Sequence, residues 1–346
     1  MDFDPIRTAA RSALDPLSWD YYEGVADGRP ESQTDHEAWQ RIGIVPRVMQ
    51  GLTEVDTTLT IAGATFSTPV LVAPTAAHGL AHPDGEVATL NGAAAAGALM
   101  IYSSSARVEV TEFGAAADGP WWAQVYLMRD RLVSDDYIAR AVAAGARALV
   151  LTVDLSGGLA EAPFRQNTRV GLPALPGNFP GLTWAQMSAG IDANLRPDHV
   201  SGLIESTGLP VWVKGVLHPE DAVAAVEAGA AGVIVSNHGR RQVAGVVPTA
   251  EALGDVVDAV GGRVPVVVDG GIRSGVDLLR ALALGASAVG VGRPVLWGLA
   301  TTGTDGVRDV LAGLTVELRQ AMAATGAGSL SAINRTMVRP ATFLTR

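Results

Sequence analysis

Short runs of apolar residues alternate with longer helix-period stretches along most of the chain, and the runs are apolar throughout rather than at every second position. They fall at Val70 to Ala73, Leu99 to Ile101, Trp122 to Val125 and Ala148 to Thr152, then at Val211 to Val213, Gly232 to Val235, Val266 to Val268 and Ala288 to Val291. A strand without a polar face is one covered on both sides, as parallel strands in an α/β fold are. The clearest helical stretch is the last, where Val307, Val310, Leu311, Leu314 and Leu318 share one face. Gly97-Ala98, Gly145-Ala146, Gly229-Ala230 and Gly285-Ala286 each follow an Ala-rich helical run and precede an apolar one. A glycine there closes the helix in the left-handed conformation and releases the chain into a strand. Such βα units, eight of them over about 250 residues, predict an α/β protein of the (β/α)8 TIM-barrel type, with a doubly wound open sheet as the alternative.

Two regions stand outside the repeat. Residues 1–69 form an N-terminal extension with a helix opened by Asp4-Pro5 and then a hairpin around Ala62-Gly63 that is expected to cover the bottom of the barrel. After the fourth strand the chain runs through Ser156-Gly157-Gly158 and then Pro173, Pro176, Gly177 and Pro180. That stretch, over 155–195, is expected to be a mobile loop above the active site. The whole of 1–346 reads as one barrel domain.

Composition narrows the chemistry. With 25 Lys and Arg against 35 Asp and Glu, the net charge of −10 disfavours nucleic acid. The absence of cysteine excludes disulfides, thiolate-bound zinc, iron–sulfur clusters and thiol catalysis. No apolar stretch reaches the length of about 18 residues that marks a membrane span, and Met1 to Pro5 lacks the start of a signal peptide. These features point to a cytoplasmic protein without a membrane partner. His78 and His82 lie four apart, but no carboxylate cluster completes a metal site around them, so no metal is expected.

The polar residues collect where the strands end. Pro74-Thr75-Ala76 follows the first run, Ser103-Ser104-Ser105 the second, and Gln124 and Tyr126 lie in and after the third. Thr152 and Asp154 close the fourth, Lys214 follows the fifth, and Ser236-Asn237-His238-Gly239-Arg240-Arg241-Gln242 follows the sixth. Asp269-Gly270-Gly271-Ile272-Arg273 and Gly292-Arg293 follow the last two. In a TIM barrel those ends form the active-site face, and the last two loops commonly bind phosphate. Glycine lets backbone N–H groups approach a phosphate, and Arg273 and Arg293 add charge. His238 can accept a proton near neutrality, while Arg241 can grip a carboxylate with two parallel hydrogen bonds. The pair suits an anionic small-molecule substrate that must lose a proton.

These motifs resemble the FMN-dependent L-2-hydroxy acid oxidases and dehydrogenases, which include glycolate oxidase, lactate oxidase and mandelate dehydrogenase. The resemblance spans Tyr21 to Arg293 and rests on Ser236 to Gly239 with Arg241-Gln242, on Asp269 to Arg273, and on Val213-Lys214-Gly215. Pro74 to His82, Tyr21-Tyr22 and Pro46-Arg47 add to it. It implies FMN across the barrel mouth, with Thr75, Ala76, Ser103, Gln124 and Thr152 facing its ring, Ser236 adding a contact, and Lys214 stabilising the anionic reduced ring. Asp269, Gly271, Arg273, Gly292 and Arg293 would hold the ribityl chain and phosphate. His238 would take the hydroxyl proton while the α-hydrogen leaves as hydride, with Asp154 orienting the imidazole. Tyr126 would meet the hydroxyl oxygen, and Arg241 with Tyr21 the carboxylate. The family further implies reoxidation by O₂ or another acceptor and a homotetramer.

Three departures bear on the substrate. Relatives carry an arginine shortly after the strand-four aspartate, whereas Leu155 to Glu161 contains none, so either Arg165 or Arg169 swings in or one arginine alone holds the substrate. Ser105 stands where glycolate oxidases have a bulky aromatic, so a substrate larger than glycolate is expected. Val243-Ala244 replaces the usual Leu-Asp. The alternatives are the same machinery acting on an amine or another biosynthetic intermediate, and a flavin- or phosphate-binding barrel without turnover.

Overall fold

The computed structural model describes residues 2–28, 34–155 and 177–340. The N-terminal extension supplies three helices where the sequence indicated one: α1 (Asp4–Ala13), α2 (Pro16–Glu23) and α3 (Thr34–Gln40). Phe3, not Asp4, is the cap residue of α1, and Pro5 sits in its first turn. The second helix starts for a clearer reason. Asp15 accepts hydrogen bonds from the Leu17 and Ser18 backbone N–H groups, and Pro16 supplies a first-turn residue with its φ already set. A short strand β1 (Ile42–Ile44) follows, then the hairpin β2 (Leu59–Ile61) and β3 (Ala64–Phe66), whose turn residues Ala62 and Gly63 both have positive φ.

The eight apolar runs are the eight strands of a closed parallel barrel: β4 (Val70–Val72), β5 (Leu99–Tyr102), β6 (Trp121–Val125), β7 (Leu149–Thr152), β8 (Val211–Val216), β9 (Gly232–Val235), β10 (Val266–Asp269) and β11 (Ala288–Val291). The rival open sheet is thereby excluded. Alternation hidden in the sequence is visible in the packing. Leu71, Leu99, Ile101, Trp122, Val150, Trp212, Ile234 and Val267 point into the barrel. Their neighbours, such as Val72, Met100, Val125, Leu151 and Val235, belong to the larger cluster under the helices. Trp122 and Trp212 stack inside at 4.7 Å, and Gly232 makes room for them, since a Cβ there would lie 2.1 Å from the Trp212 ring. Leu59, Ile61 and Phe66 of the hairpin join this inner cluster and close the bottom of the barrel.

Around the strands lie α4 (Gly85–Ala95), α5 (Val110–Ala115), α6 (Arg131–Ala143), α7 (Trp184–Gly190), α8 (Asp198–Thr207), α9 (Pro219–Glu227), α10 (Thr249–Val260), α11 (Gly275–Ala283) and α12 (Arg293–Thr325). All four Gly-Ala glycines have positive φ, as the recurring loop requires. The last helix breaks its geometry at Thr302 and Gly303, and its predicted face from Val307 to Leu318 is fully buried. A terminal strand β12 (Val338–Pro340) pairs with β1. Among the described residues, no helix is long and apolar enough to cross a membrane.

Candidate active site

A cavity opens at the C-terminal ends of the strands, lined by Tyr21, Thr75, Ala76, Ser103, Ser105, Tyr126, Lys214, His238, Arg241, Asp269, Gly271, Arg273, Gly292 and Arg293. Those fourteen expected residues meet there although they are spread over most of the chain. Gln124, Thr152 and Ser236 lie one layer below the lining. Gln124 gives its amide N–H to Thr152 Oγ1 at 3.1 Å and accepts from the Ser104 backbone and hydroxyl, so it braces the ends of β5, β6 and β7 against each other. Ser236 accepts from Lys214 Nζ at 2.7 Å and donates to Asp269 Oδ1 at 2.6 Å. Lys214 Nζ is also 3.2 Å from Asp269 Oδ2, so a buried ammonium stands at the cavity wall with its counter-charge beside it.

His238 faces the cavity with Asp154 behind it. The loop after β9 turns sharply, His238 and Arg240 both taking positive φ, an uncommon conformation for non-glycine residues that here aims the ring. His238 Nδ1 lies 2.9 Å from Asp154 Oδ1. Burial pushes the Asp154 carboxyl up, but the charge and hydrogen bond of His238, followed by the charge of Lys214, outweigh it and hold the group below its ordinary value. An ionised carboxylate only accepts, so Nδ1 carries a proton in either state of the ring, and once Nε2 gives up its own proton the lone pair falls there.

This contact depends on Gly215. The pairing of β8 with β9 slips between Lys214 and Val216, and Gly215 sits in the irregularity at φ +105°. A Cβ there would lie 2.6 Å from both Cβ and Cγ of Asp154. Gly215→Ala is therefore expected to push Asp154 off His238 and to add backbone strain of about 1–3 kcal/mol. In the flavin chemistry that the sequence resemblance implies, with His238 as base, reduction should slow at least about tenfold, the lower part of what a positioned acid–base group contributes. Stopped-flow reduction and thermal melts measure the two effects separately; unchanged reduction would show that the carboxylate has room to spare.

At the end of the cavity expected to take the substrate carboxylate, Arg241 gives Nη1 hydrogen bonds to the carbonyls of Tyr22 and Gly24 and lies 5.3 Å from the centre of the Tyr21 ring. Helix α2 brings both tyrosines to the cavity; the Tyr22 hydroxyl is spent on the Ala77 carbonyl at 2.6 Å. Arg165 and Arg169, the proposed substitutes for the missing loop arginine, lie outside the described residues, as does 156–176 of the expected lid.

The opposite end fits a phosphate. Arg273 and Arg293 are half-buried at the same end of the cavity, and their hydrogen bonds go to backbone carbonyls: Arg273 to Ile272, Arg293 to Tyr22 and Gly239. Burial, reinforced by the neighbouring Arg293 charge, lowers the Arg273 guanidinium to about 10, and burial lowers Arg293 as well. Among the described residues neither arginine makes an ion pair with a carboxylate. Two half-buried like charges without a counter-ion repel one another, and a bound dianion relieves that repulsion. Gly271 lets the backbone of Asp35 pack against this loop, where a Cβ would come within 2.5 Å of it, and the terminal phosphate of FMN suits the two arginines.

His78 is a structural residue. Its ring is buried between Thr75 Oγ1 at 2.6 Å and Thr89 Oγ1 at 2.8 Å, so it steadies the loop that carries Thr75 and Ala76. The sequence reading missed Leu155, Trp184, Met187, Ser188 and Ile191, which complete the cavity wall. All but Leu155 belong to α7 and the residue after it, within the span assigned to a loop. The Thr183/Gln186 capping box that starts α7 was the available signal.

The FMN-dependent dehydrogenase family matches residues 10–340. Glycolate oxidase 1 of Zea mays is 41% identical over 340 residues, covering 94% of this chain and 92% of the relative. A peroxisomal (S)-2-hydroxyacid oxidase of Arabidopsis thaliana is 38% identical over 352 residues, covering 98% and 96%. Among solved structures, mandelate oxidase with (S)-2-phenylpropionate superposes with a TM-score of 0.86 at 40% identity, covering 97% of this chain and 96% of that one. Mandelate oxidase with benzoyl-formic acid gives the same four values.

Proposed function

The chain belongs to the FMN-dependent dehydrogenase family, and from that premise we propose that it oxidises an L-2-hydroxy acid larger than glycolate to the 2-oxo acid, with O₂ as the acceptor and H₂O₂ as the second product. The observation that carries this reading is the His238–Asp154 pair sharing one cavity with Arg241 and Tyr21. FMN bound in this cavity would supply the two-electron acceptor for the α-hydrogen and the means of handing those electrons to O₂.

The protein's own groups do the rest. Arg241 and Tyr21 bind the substrate carboxylate, a charge-assisted contact that fixes which face of the α-carbon is presented. Tyr126 meets the hydroxyl oxygen. His238 Nε2 takes the hydroxyl proton, and the Asp154 carboxylate stabilises the imidazolium that forms. Lys214 Nζ supplies positive charge at the cavity wall, held by Ser236 and Asp269. Arg273 and Arg293 bind the cofactor phosphate.

A panel of 2-hydroxy acids tests the substrate class. With no arginine between Leu155 and Glu161, short acids depend on Arg241 and Tyr21, whereas a larger side chain adds apolar burial at about 25 cal/mol per Å². Reduction rates at fixed concentration are expected to rise from glycolate to lactate to a larger aliphatic or aryl acid, with the L enantiomer preferred. Glycolate reacting as fast as the larger acids would overturn the size assignment.

A further inference from the structure

The space beside Ser105 is not empty. Met187 reaches across from α7, and the Ser105 hydroxyl donates to its sulfur at 3.7 Å. Both residues are buried, and both line the cavity. The helix that carries Met187 is fastened at each end. Thr183 and Gln186 form a reciprocal cap at its start. At its end the Arg129 backbone N–H donates to the Gly190 carbonyl at 2.8 Å, and Ile191 bridges to Met128. Its first residue, Trp184, leans on Tyr21 with ring centroids 5.8 Å apart. Tyr21 in turn lies under Arg241. A continuous wall thus runs from the carboxylate-binding end, through Tyr21 and Trp184, to the Met187 thioether over Ser105.

We propose that Met187 sets the size limit for the substrate side chain, acting as an adjustable plug over the space that Ser105 leaves. This rests on the 2-hydroxy acid reading above and locates the specificity of that site in one residue. The backbone of α7 is fixed, but methionine is unbranched, has three rotatable bonds and carries a polarisable sulfur that packs well against rings. A short acid leaves the thioether over Ser105. A larger side chain turns it aside and gains the contact area of Trp184 and Tyr21 in exchange for a weak O–H···S bond.

The test compares Met187→Ala and Met187→Ile with the parent, using lactate and mandelate as short and aryl probes in anaerobic flavin reduction. Flavin absorbance and FMN content report whether each variant folds and loads. Met187→Ala is expected to raise the ratio of kcat/KM for mandelate over lactate by about tenfold, the scale on which a pocket reads a change of one or two methylenes. The change should appear chiefly as a lower KM for mandelate. Met187→Ile keeps the bulk but stiffens it at χ1 and is expected to lower the same ratio. The volume-conserving Met187→Leu gives a folded reference should either variant fail to load FMN. Reduction of the parent by these acids, with ratios in FMN-loaded variants that stay within twofold of the parent, overturns the role of Met187. A parent enzyme that no 2-hydroxy acid reduces overturns the function itself, which separates the two failures.

Discussion

His238→Ala is expected to slow anaerobic flavin reduction by about 10²- to 10⁴-fold, the range over which a positioned acid–base group contributes. The ring is held by Asp154 at 2.9 Å and by a backbone turn with positive φ, so its loss removes a group set in one orientation. FMN should stay bound, because the phosphate end of the cavity is built from Arg273 and Arg293 rather than from this loop's histidine. Single-turnover reduction of the FMN-loaded variant measures the effect without interference from cofactor loss. A parent-like rate would remove His238 from the mechanism.

Arg273→Ala combined with Arg293→Ala is expected to weaken FMN binding by about 10²- to 10⁴-fold, since each charged hydrogen-bonding group is worth about 1.5–3 kcal/mol. Arg293→Ala alone should cost affinity; because Arg293 also donates to the Gly239 carbonyl beside His238, any slowing of reduction in the loaded fraction should stay well below that of His238→Ala. Removing the pair should also abolish the stabilisation that bound FMN confers on the fold. Apoprotein melts with and without FMN, together with fluorescence titration, follow both halves. An unchanged FMN affinity in the double variant would place the phosphate elsewhere.

The barrel was legible because its strands are buried on both faces, which leaves unbroken apolar runs such as Val266 to Val268 and Ala288 to Val291. The polar residues at the strand ends were legible for the related reason that nothing in a covered strand explains an Asp269 or a Lys214. Boundaries moved where local geometry overrode pattern: β8 runs on to Val216 through the irregularity at Gly215, and β10 takes in Asp269. Depth was not legible. Gln124 and Thr152 sit beneath the lining, because side-chain identity gives no measure of how far a residue stands from the barrel mouth. The wall formed by Trp184, Met187 and Ile191 was hidden more thoroughly. An apolar helix face looks the same in sequence whether it meets a core or a substrate, and α7 lay in a glycine- and proline-rich stretch read as a loop. The room inferred from Ser105 was half the picture, since a sequence does not tell which side chain crosses the gap from the other wall.

Anaerobic mixing of the purified, FMN-loaded protein with a series of L-2-hydroxy acids, followed by flavin absorbance and product analysis, tests the central claim most directly. Bleaching of the flavin with one equivalent of 2-oxo acid formed per flavin, faster for the larger acids, and return of the colour with H₂O₂ on admitting O₂ is the predicted result. A flavin that stays oxidised with every 2-hydroxy acid, or that bleaches only with an amine, contradicts it.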